Sequence, residues 1–330
     1  MNRRKQELSR RGFMGGAAAV AATASLGLSD RALAGPAARA NSLRQAGFQA
    51  DENVILIGTL GEASTINPFQ QNDTEAYWRC KLMFEQFVRV DGGTYAPTPG
   101  LGVAQDWTLE ELTYTFSIQP NAKFSDGADL TADDVAFSIM GMLHPETASP
   151  NSNKFESIAG AEEFVAGSAT ELTGVEIVDP KTIRITLAEP DASFLYNLRY
   201  LFVVPKAALD GKSLVDDPWF QTPVGAGPFM FESWTVGGDF VARKNPTYYQ
   251  DGKPALDGLI HRVIPDANTL ALALQSGEID GSVYAAPTVQ DQIAQNPDMV
   301  LSVSPFTSPD GWMFNFQNEW LAMKEVRQAI

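Results

Sequence analysis

The chain has 330 residues, 44% of them hydrophobic and 19% charged, a globular composition long enough for more than one core. A formal charge of −16 argues against nucleic acid and polybasic membrane contact, both of which need a basic patch. One cysteine, Cys80, rules out an internal disulfide, and with His144 and His261 the only histidines a Cys/His zinc site is nearly excluded.

Residues 1–34 have the layout of an export signal rather than of a folded segment. Arg3, Arg4 and Lys5 form a basic start, and Met14 to Leu28 is small, apolar and uncharged. That run is shorter than the ~20 residues of a spanning helix. Ala32-Leu33-Ala34 offers the small residues a signal peptidase needs, so cleavage is expected between Ala34 and Gly35. Within Ser9-Arg10-Arg11-Gly12-Phe13-Met14, the paired Arg10 and Arg11 followed by Phe13 resemble a twin-arginine signal. Arg31, beside the cleavage site, disfavours the general secretion route. The twin-arginine translocase is therefore an expected partner, with delivery of a folded chain to the periplasm. No cysteine follows the apolar run, so no lipid anchor is expected there. Cleavage removes six basic and two acidic groups and takes the formal charge from −16 to −20.

Residues 35–51 show no clear period and are expected to form a flexible leader. Val54 to Gly58 is a short apolar run suited to a buried strand. Thr59 to Phe69 then leaves it as a loop. Thr74 to Val88 is expected to be one helix, with Leu82, Phe84, Phe87 and Val88 toward a core and Cys80 a buried, inert thiol. Leu112, Tyr114, Phe116 and Ile118 alternate as a half-buried strand does. After the turn at Ser125-Asp126-Gly127, Thr131 and Asp134 have capping-box spacing before a helix whose apolar face is Val135, Ile139, Met142 and Leu143.

Two hairpins follow. Val175 and Ile177 precede Asp179-Pro180-Lys181, with Ile183, Ile185 and Leu187 after it. Phe229–Thr235 and Asp239–Arg243 flank Val236-Gly237-Gly238. Asn268 to Gln275 predicts a helix ended by Gly277, and Thr288 is placed to cap another running toward Asn296. Strands are expected at Met299–Val303 and Trp312–Phe316. Met323 to Ile330 opens a helix that stops without a cap, from which a C-terminally truncated chain is inferred.

Catalytic constellations are scarce. No nucleophile elbow, His-Glu-x-x-His pair, phosphate loop or dinucleotide fingerprint occurs. Pro223 to Pro228 is glycine-rich but lacks the Lys-Ser/Thr of a nucleotide loop. His144 and His261 are expected to be structural, and no metal or cofactor is expected.

Several segments together resemble the extracellular solute-binding proteins of the peptide/nickel importer family, the family 5 type. They are Ser64-Thr65-Ile66-Asn67-Pro68-Phe69, Pro99-Gly100-Leu101 with Trp107, and Phe124-Ser125-Asp126-Gly127 with Leu130 to Val135. They continue with Val224-Gly225-Ala226-Gly227-Pro228-Phe229, Arg243 to Tyr249, Ser276-Gly277-Glu278-Ile279-Asp280 and Val326 to Ile330. Ala226 stands where threonine is more usual. The resemblance implies an α/β, two-lobe periplasmic-binding-protein-like fold with an inserted α+β subdomain and an incomplete second lobe. Lobe I would be 52–72 with 186–290, the insert 73–185, and lobe II would start at 291–330.

It also implies a monomer that captures a peptide or similar small molecule in an interlobe cleft and delivers it to an ABC permease in the inner membrane. Candidate ligand-binding residues are Glu62, Ala63, Ser64 and Thr65, the turn residues Val224, Gly225 and Gly227, and Gly311, Trp312 and Phe314 as aromatic wall. The alternatives are a periplasmic hydrolase or oxidoreductase using the same export route, and a sensory or structural protein.

Overall fold

The computed structural model describes residues 29–284, 287–302 and 314–329, with side-chain surroundings from Gly35 onward, those of Pro287 and Thr288 excepted. Arg10, Arg11, Phe13, Gly311 and Trp312 lie outside the described residues. The chain divides into two units, Met1–Val289 and Gln290–Ile330.

The first unit begins with α1 (Ser29–Gln45), β1 (Val54–Thr59) and α2 (Thr74–Met83). Strands β2 (Arg89–Val90) and β3 (Pro97–Thr98) form a small ribbon, followed by β4 (Ala104–Glu110), β5 (Thr113–Ile118) and α3 (Ala132–Leu143). Then come α4 (Ala161–Val165), β6 (Val175–Asp179), β7 (Thr182–Thr186), α5 (Phe194–Asn197) and α6 (Lys206–Leu209). The unit closes with β8 (Phe229–Trp234), β9 (Asp239–Lys244), β10 (Gly258–Val263), α7 (Ala267–Ser276) and β11 (Gly281–Ser282), and α8 (Pro287–Gln295) starts at its end.

Two main sheets result. One has the order β11-β1-β10-β9-β8, with β1 parallel to both β10 and β11 and the remaining pairs antiparallel. The other is antiparallel, in the order β4-β5-β7-β6. A shared core joins Phe116, Ile118, Ile183 and Ile185 of the second sheet to Phe229, Phe240 and Leu259 of the first. Each buried side chain of this size contributes about 1.5–3 kcal/mol of apolar transfer. A separate core on the other face of the five-stranded sheet holds Leu43, Phe48, Leu56, Ile260, Leu270 and Ile279.

Local chemistry explains the elements that match their sequence pattern. In β5 the alternation places Tyr114, Phe116 and Ile118 inside. At the start of α3, the Asp134 carboxylate accepts from the Thr131 N–H at 2.8 Å and the Thr131 hydroxyl at 2.9 Å, the acid half of a capping box. Val135, Ile139, Met142 and Leu143 are all buried. Gly277, at φ +74°, ends α7 in the left-handed conformation that favours glycine.

Other expectations need correction. The helix expected over 74–88 stops at Met83, where Phe84 turns extended. Tertiary pairing overrides the helical pattern: Phe87 N–H donates to the Leu201 carbonyl, Val203 N–H to that of Glu85, and Val103 N–H to that of Gln86. The leader expected over 35–51 is helical through Gln45, and Leu43 and Phe48 are buried. Arg39 holds it down, lying 2.7 Å from Asp280 and donating to the Val54 carbonyl at 2.8 Å. In β6, Ile177 is exposed because this strand is a sheet edge, while its partner β7 buries Ile183 and Ile185. α8 starts at Pro287, so Thr288 lies inside the helix and is not its cap.

In the second unit, α9 (Glu319–Ala322) and α10 (Lys324–Ala329) follow irregular chain. Residues 299–302 form no strand, and Val300 is 93% exposed. No described strand offers these residues a ladder. The Asn318 side chain caps α9 by accepting from Trp320 and Leu321 N–H. Among the described residues no helix is long and apolar enough to cross a membrane.

Candidate functional site

β1 and β10 run parallel, so their carboxyl ends lie on one side of the sheet, where open α/β sheets bind ligands. The turn between β8 and β9 reaches the same side, because Asp239 pairs with Arg262 near the end of β10. Gly237 takes φ +75° in that turn, a conformation a Cβ would strain. The loop leaving β1 carries Glu62, Ala63, Ser64 and Thr65.

Glu62 has a structural duty here. Its carboxylate lies 2.6 Å from the Arg79 guanidinium, accepts from Gly237 N–H at 2.7 Å and accepts from Trp234 Nε1 at 3.3 Å. Burial raises its pKa, but the Gly237 N–H, Arg79 and the Ala63 N–H outweigh it and hold the carboxyl below its ordinary value. Arg79 is 0% exposed, with its guanidinium carbon 4.9 Å from the Trp234 ring centroid and 5.3 Å from that of Phe240. His261 is buried nearby, and burial first and the Arg79 charge second hold it down to about 4. It is therefore a neutral interior imidazole at pH 7.

Ser64 is tied to the start of α2, where its hydroxyl and its N–H both reach the Asp73 carboxylate. Asp73 also caps α2 by accepting from Ala76 N–H at 2.7 Å. The Thr65 hydroxyl accepts from Asn67 N–H, and the buried Asn67 amide donates to the carbonyls of Leu214 and Val215. The loop from β1 is thus fastened at both ends.

Beside it lies an open groove of about 560 Å³. Ser64, Thr65 and Ile66 form one side, and Asp216, Asp217, Phe220, Gln221 and Thr222 the other, with Phe231 and Trp234 as aromatic walls. Its floor is pinned from below, where Phe220 meets Phe69 edge-on at 6.4 Å and Trp219 at 5.1 Å. Asp217 accepts from Trp219 N–H, whereas Asp216 stands exposed at the rim. Two aromatic walls among a lining that is otherwise largely polar suit a small amphipathic solute.

Of the residues the sequence offers as ligand-binding, Ser64 and Thr65 line this groove; Phe231, Trp234 and Asp216, which it does not offer, line it too. Phe231 and Trp234 belong to an ordinary strand pattern, and only the fold shows that their strand ends beside the β1 loop.

The glycine turn, expected to bring backbone close to a ligand, packs closely against α2. A Cβ on Gly225 would stand 2.1 Å from the Met83 carbonyl oxygen, and one on Gly227 2.5 Å from that of Leu82. Gly227 N–H donates to the Met83 carbonyl, and the Gly227 carbonyl accepts from the Asn245 amide. The close backbone approach is therefore to the end of α2, and Val224 is only half-buried beside it. Phe314 is half-buried in the second unit. Cys80 is fully buried, and burial pushes its thiol far up, as expected of an inert core residue. Among the described residues no group of three or more His, Cys, Asp or Glu could hold a metal ion.

Loops gather at the carboxyl ends of parallel strands beside an open groove, the side of an open α/β sheet on which ligands bind. The family model of the bacterial extracellular solute-binding proteins, family 5 Middle, matches residues 96–330, and the chain belongs to that family. The glutathione-binding protein GsiB of Salmonella typhi is 28% identical over 291 residues, covering 85% of this chain and 51% of its own. The periplasmic oligopeptide-binding protein OppA of Salmonella typhimurium is 30% identical over 245 residues, covering 71% and 44%.

Among solved structures, NikZ from Campylobacter jejuni in complex with Ni(L-His) is 25% identical with a TM-score of 0.68, covering 84% of this chain and 52% of its own. The oligopeptide-binding protein OppAIV from Borrelia burgdorferi is 27% identical with a TM-score of 0.68, covering 74% and 50%. The chain spans about half the length of the curated relatives it matches.

Proposed function

We propose that the protein is the solute-binding component of an ABC importer, working in the periplasm. It captures peptides or similar small solutes and delivers them to a permease in the inner membrane. The observation that carries this reading is the groove formed by Ser64, Thr65, Phe231 and Trp234 at the carboxyl ends of the parallel strands. The aromatic walls take an apolar side chain, and the exposed Asp216 carboxylate faces a cationic group such as a free amino terminus. Membership of a family of binding proteins supports the same reading.

Capture without chemistry is part of the proposal. The two histidines are engaged structurally: the buried His261 packs against Phe240, and His144 Nδ1 accepts from Glu146 N–H. Export through the twin-arginine route rests on Arg10, Arg11 and Phe13 in the sequence, with processing between Ala34 and Gly35. Both of those residues fall within α1.

The test is calorimetric titration of the purified protein with a peptide mixture, followed by mass spectrometry of the recovered solute. Saturable binding with the solute returned unchanged is expected. Turnover of the solute in excess over protein would overturn the reading in favour of an enzyme.

A further inference from the structure

On the side of α2 that carries Tyr77, a group of half-buried cations gathers around tyrosine rings. The Arg199 guanidinium lies 4.2 Å from the Tyr196 ring centroid and 4.7 Å from that of Tyr200. The Lys154 ammonium lies 4.7 Å from the same Tyr200 ring. Tyr77 packs against Tyr200 at 5.8 Å, and Lys81 follows one helical turn after Tyr77. All six side chains are half-buried.

Among the described residues Lys81, Lys154 and Arg199 have no carboxylate within 4 Å, and unlike exposed unpaired cations such as Lys212 they are half-buried. The cations also crowd one another. Burial first, and then the charges of Arg89 and Arg199, hold the Lys81 ammonium below its ordinary value despite Glu85. Burial and Arg199 do the same to Lys154.

The hydrogen bonds within the group leave donors unused. Tyr200 Oη accepts from Arg199 Nη2 at 2.7 Å, and Tyr77 Oη accepts from Gln86 Nε2 at 2.9 Å. Each phenol already accepts one bond, so its own proton remains to be donated. Lysine and arginine have donors only. Two phenol protons, two ammonium groups and a guanidinium thus lie around the Tyr77–Tyr200 pair, and the Glu85 carboxylate is already taken up by Tyr248 at 2.7 Å. Such a donor set, half-screened from water, matches an oxyanion with charge-assisted bonds.

We propose that Lys81, Lys154 and Arg199, with the hydroxyls of Tyr77 and Tyr200, form a binding site for the anionic oxygen group of a small solute. The inference rests on the reading that this chain captures small solutes; none of these five residues lines the groove beside Ser64 and Trp234, so this is a second site, and it takes an acidic solute. Carboxylate and phosphate share the required chemistry, and the ring faces of Tyr77, Tyr196 and Tyr200 favour an anion carried on an organic body.

The experiment is calorimetry on wild type, Lys154→Met and Arg199→Met with citrate, inorganic phosphate, trialanine and trialanine amide, at one ionic strength. The melting temperature of each protein without solute is recorded, and Lys212→Met serves as a surface control. Wild type and the control should bind an anionic probe saturably. Each site variant should lose about tenfold or more in affinity. Citrate or trialanine as the stronger probe identifies a carboxylate, with trialanine amide weaker than trialanine, and phosphate as the stronger identifies a phosphate.

Removing one crowded cation should leave the melting temperature of the solute-free protein unchanged or raised, whereas a purely structural cation would lower it. Equal affinities in wild type and both variants would overturn this site and leave the capture reading intact. Wild type that binds none of the probes, but binds an uncharged solute recovered from cell extract, would also overturn the site alone. Wild type that binds nothing would overturn both.

Discussion

Glu62 and Arg79 form a lopsided ion pair: the carboxylate is 24% exposed, and the guanidinium 2.6 Å away is 0% exposed. Water can reach one partner and not the other, so the two deletions are not equivalent. Glu62→Gln leaves a fully buried cation without its carboxylate and should cost about 3 kcal/mol. Arg79→Met leaves a carboxylate that still accepts from Gly237 N–H and meets solvent, and should cost about 1 kcal/mol. Urea midpoints for both variants check this. Equal losses would mean that Arg79 is held by its aromatic neighbours rather than by the pair.

Burial, with the Arg79 charge second, sets a pH response at His261. His261 is held at about 4 in the folded chain, below its ordinary value of 6.5. The folded state therefore resists its protonation, and this stability is present above about pH 6.5 and lost as pH falls toward 4. The loss is about 3 kcal/mol at 1.4 kcal/mol per pH unit. Glu85 works in the opposite sense, since burial raises it to about 6 from 4.5. Its contribution is complete below pH 4.5 and lost as pH rises through 6, about 2 kcal/mol. Stability curves of His261→Phe and Glu85→Gln against wild type between pH 4 and 7 should diverge in opposite directions. Parallel curves would contradict both assignments.

Much of this was legible before any coordinates. The apolar run of β1, the alternation of β5, the Thr131/Asp134 cap and the Gly277 stop are local signals, and local physics decides them. The end of α2 is not local: Phe84 to Val88 fit a helix by pattern, but carbonyls of Glu85, Gln86 and Phe87 are claimed by Val203, Val103 and Ala104 from distant segments. Gly225 and Gly227 announced a close backbone approach without saying to what. Glu62 reads as a ligand residue because it leaves a buried strand, and its partner Arg79 lies on a helix 17 positions away in sequence. The cations around Tyr200 come from three separate segments, and no spacing in the chain links them.

Gly225→Ala should be a stability variant and not a binding variant. Its Cβ would stand 2.1 Å from the Met83 carbonyl oxygen, so the end of α2 must shift, at about 1–3 kcal/mol. Chemical denaturation gives the cost, and titration of the folded fraction should show solute affinity within about twofold of wild type. A stable variant with affinity lost would return this turn to the ligand site.

Asp216→Asn should weaken a peptide with a free amino terminus by about tenfold and leave its acetylated counterpart unchanged, because Asp216 supplies charge at an exposed rim and no interior contact. Paired titrations decide it, and equal weakening of both peptides would remove Asp216 from the account.

Solute capture at the carboxyl ends of β1 and β10 is the central claim, and hydrogen–deuterium exchange tests it most directly. The protein alone is compared with the protein saturated by the solute found in its binding screen. Slower exchange over residues 62–66, 216–222 and 231–238 is the predicted result. Protection confined to the far sheet, residues 104–118 and 175–186, with the groove unchanged, would contradict it.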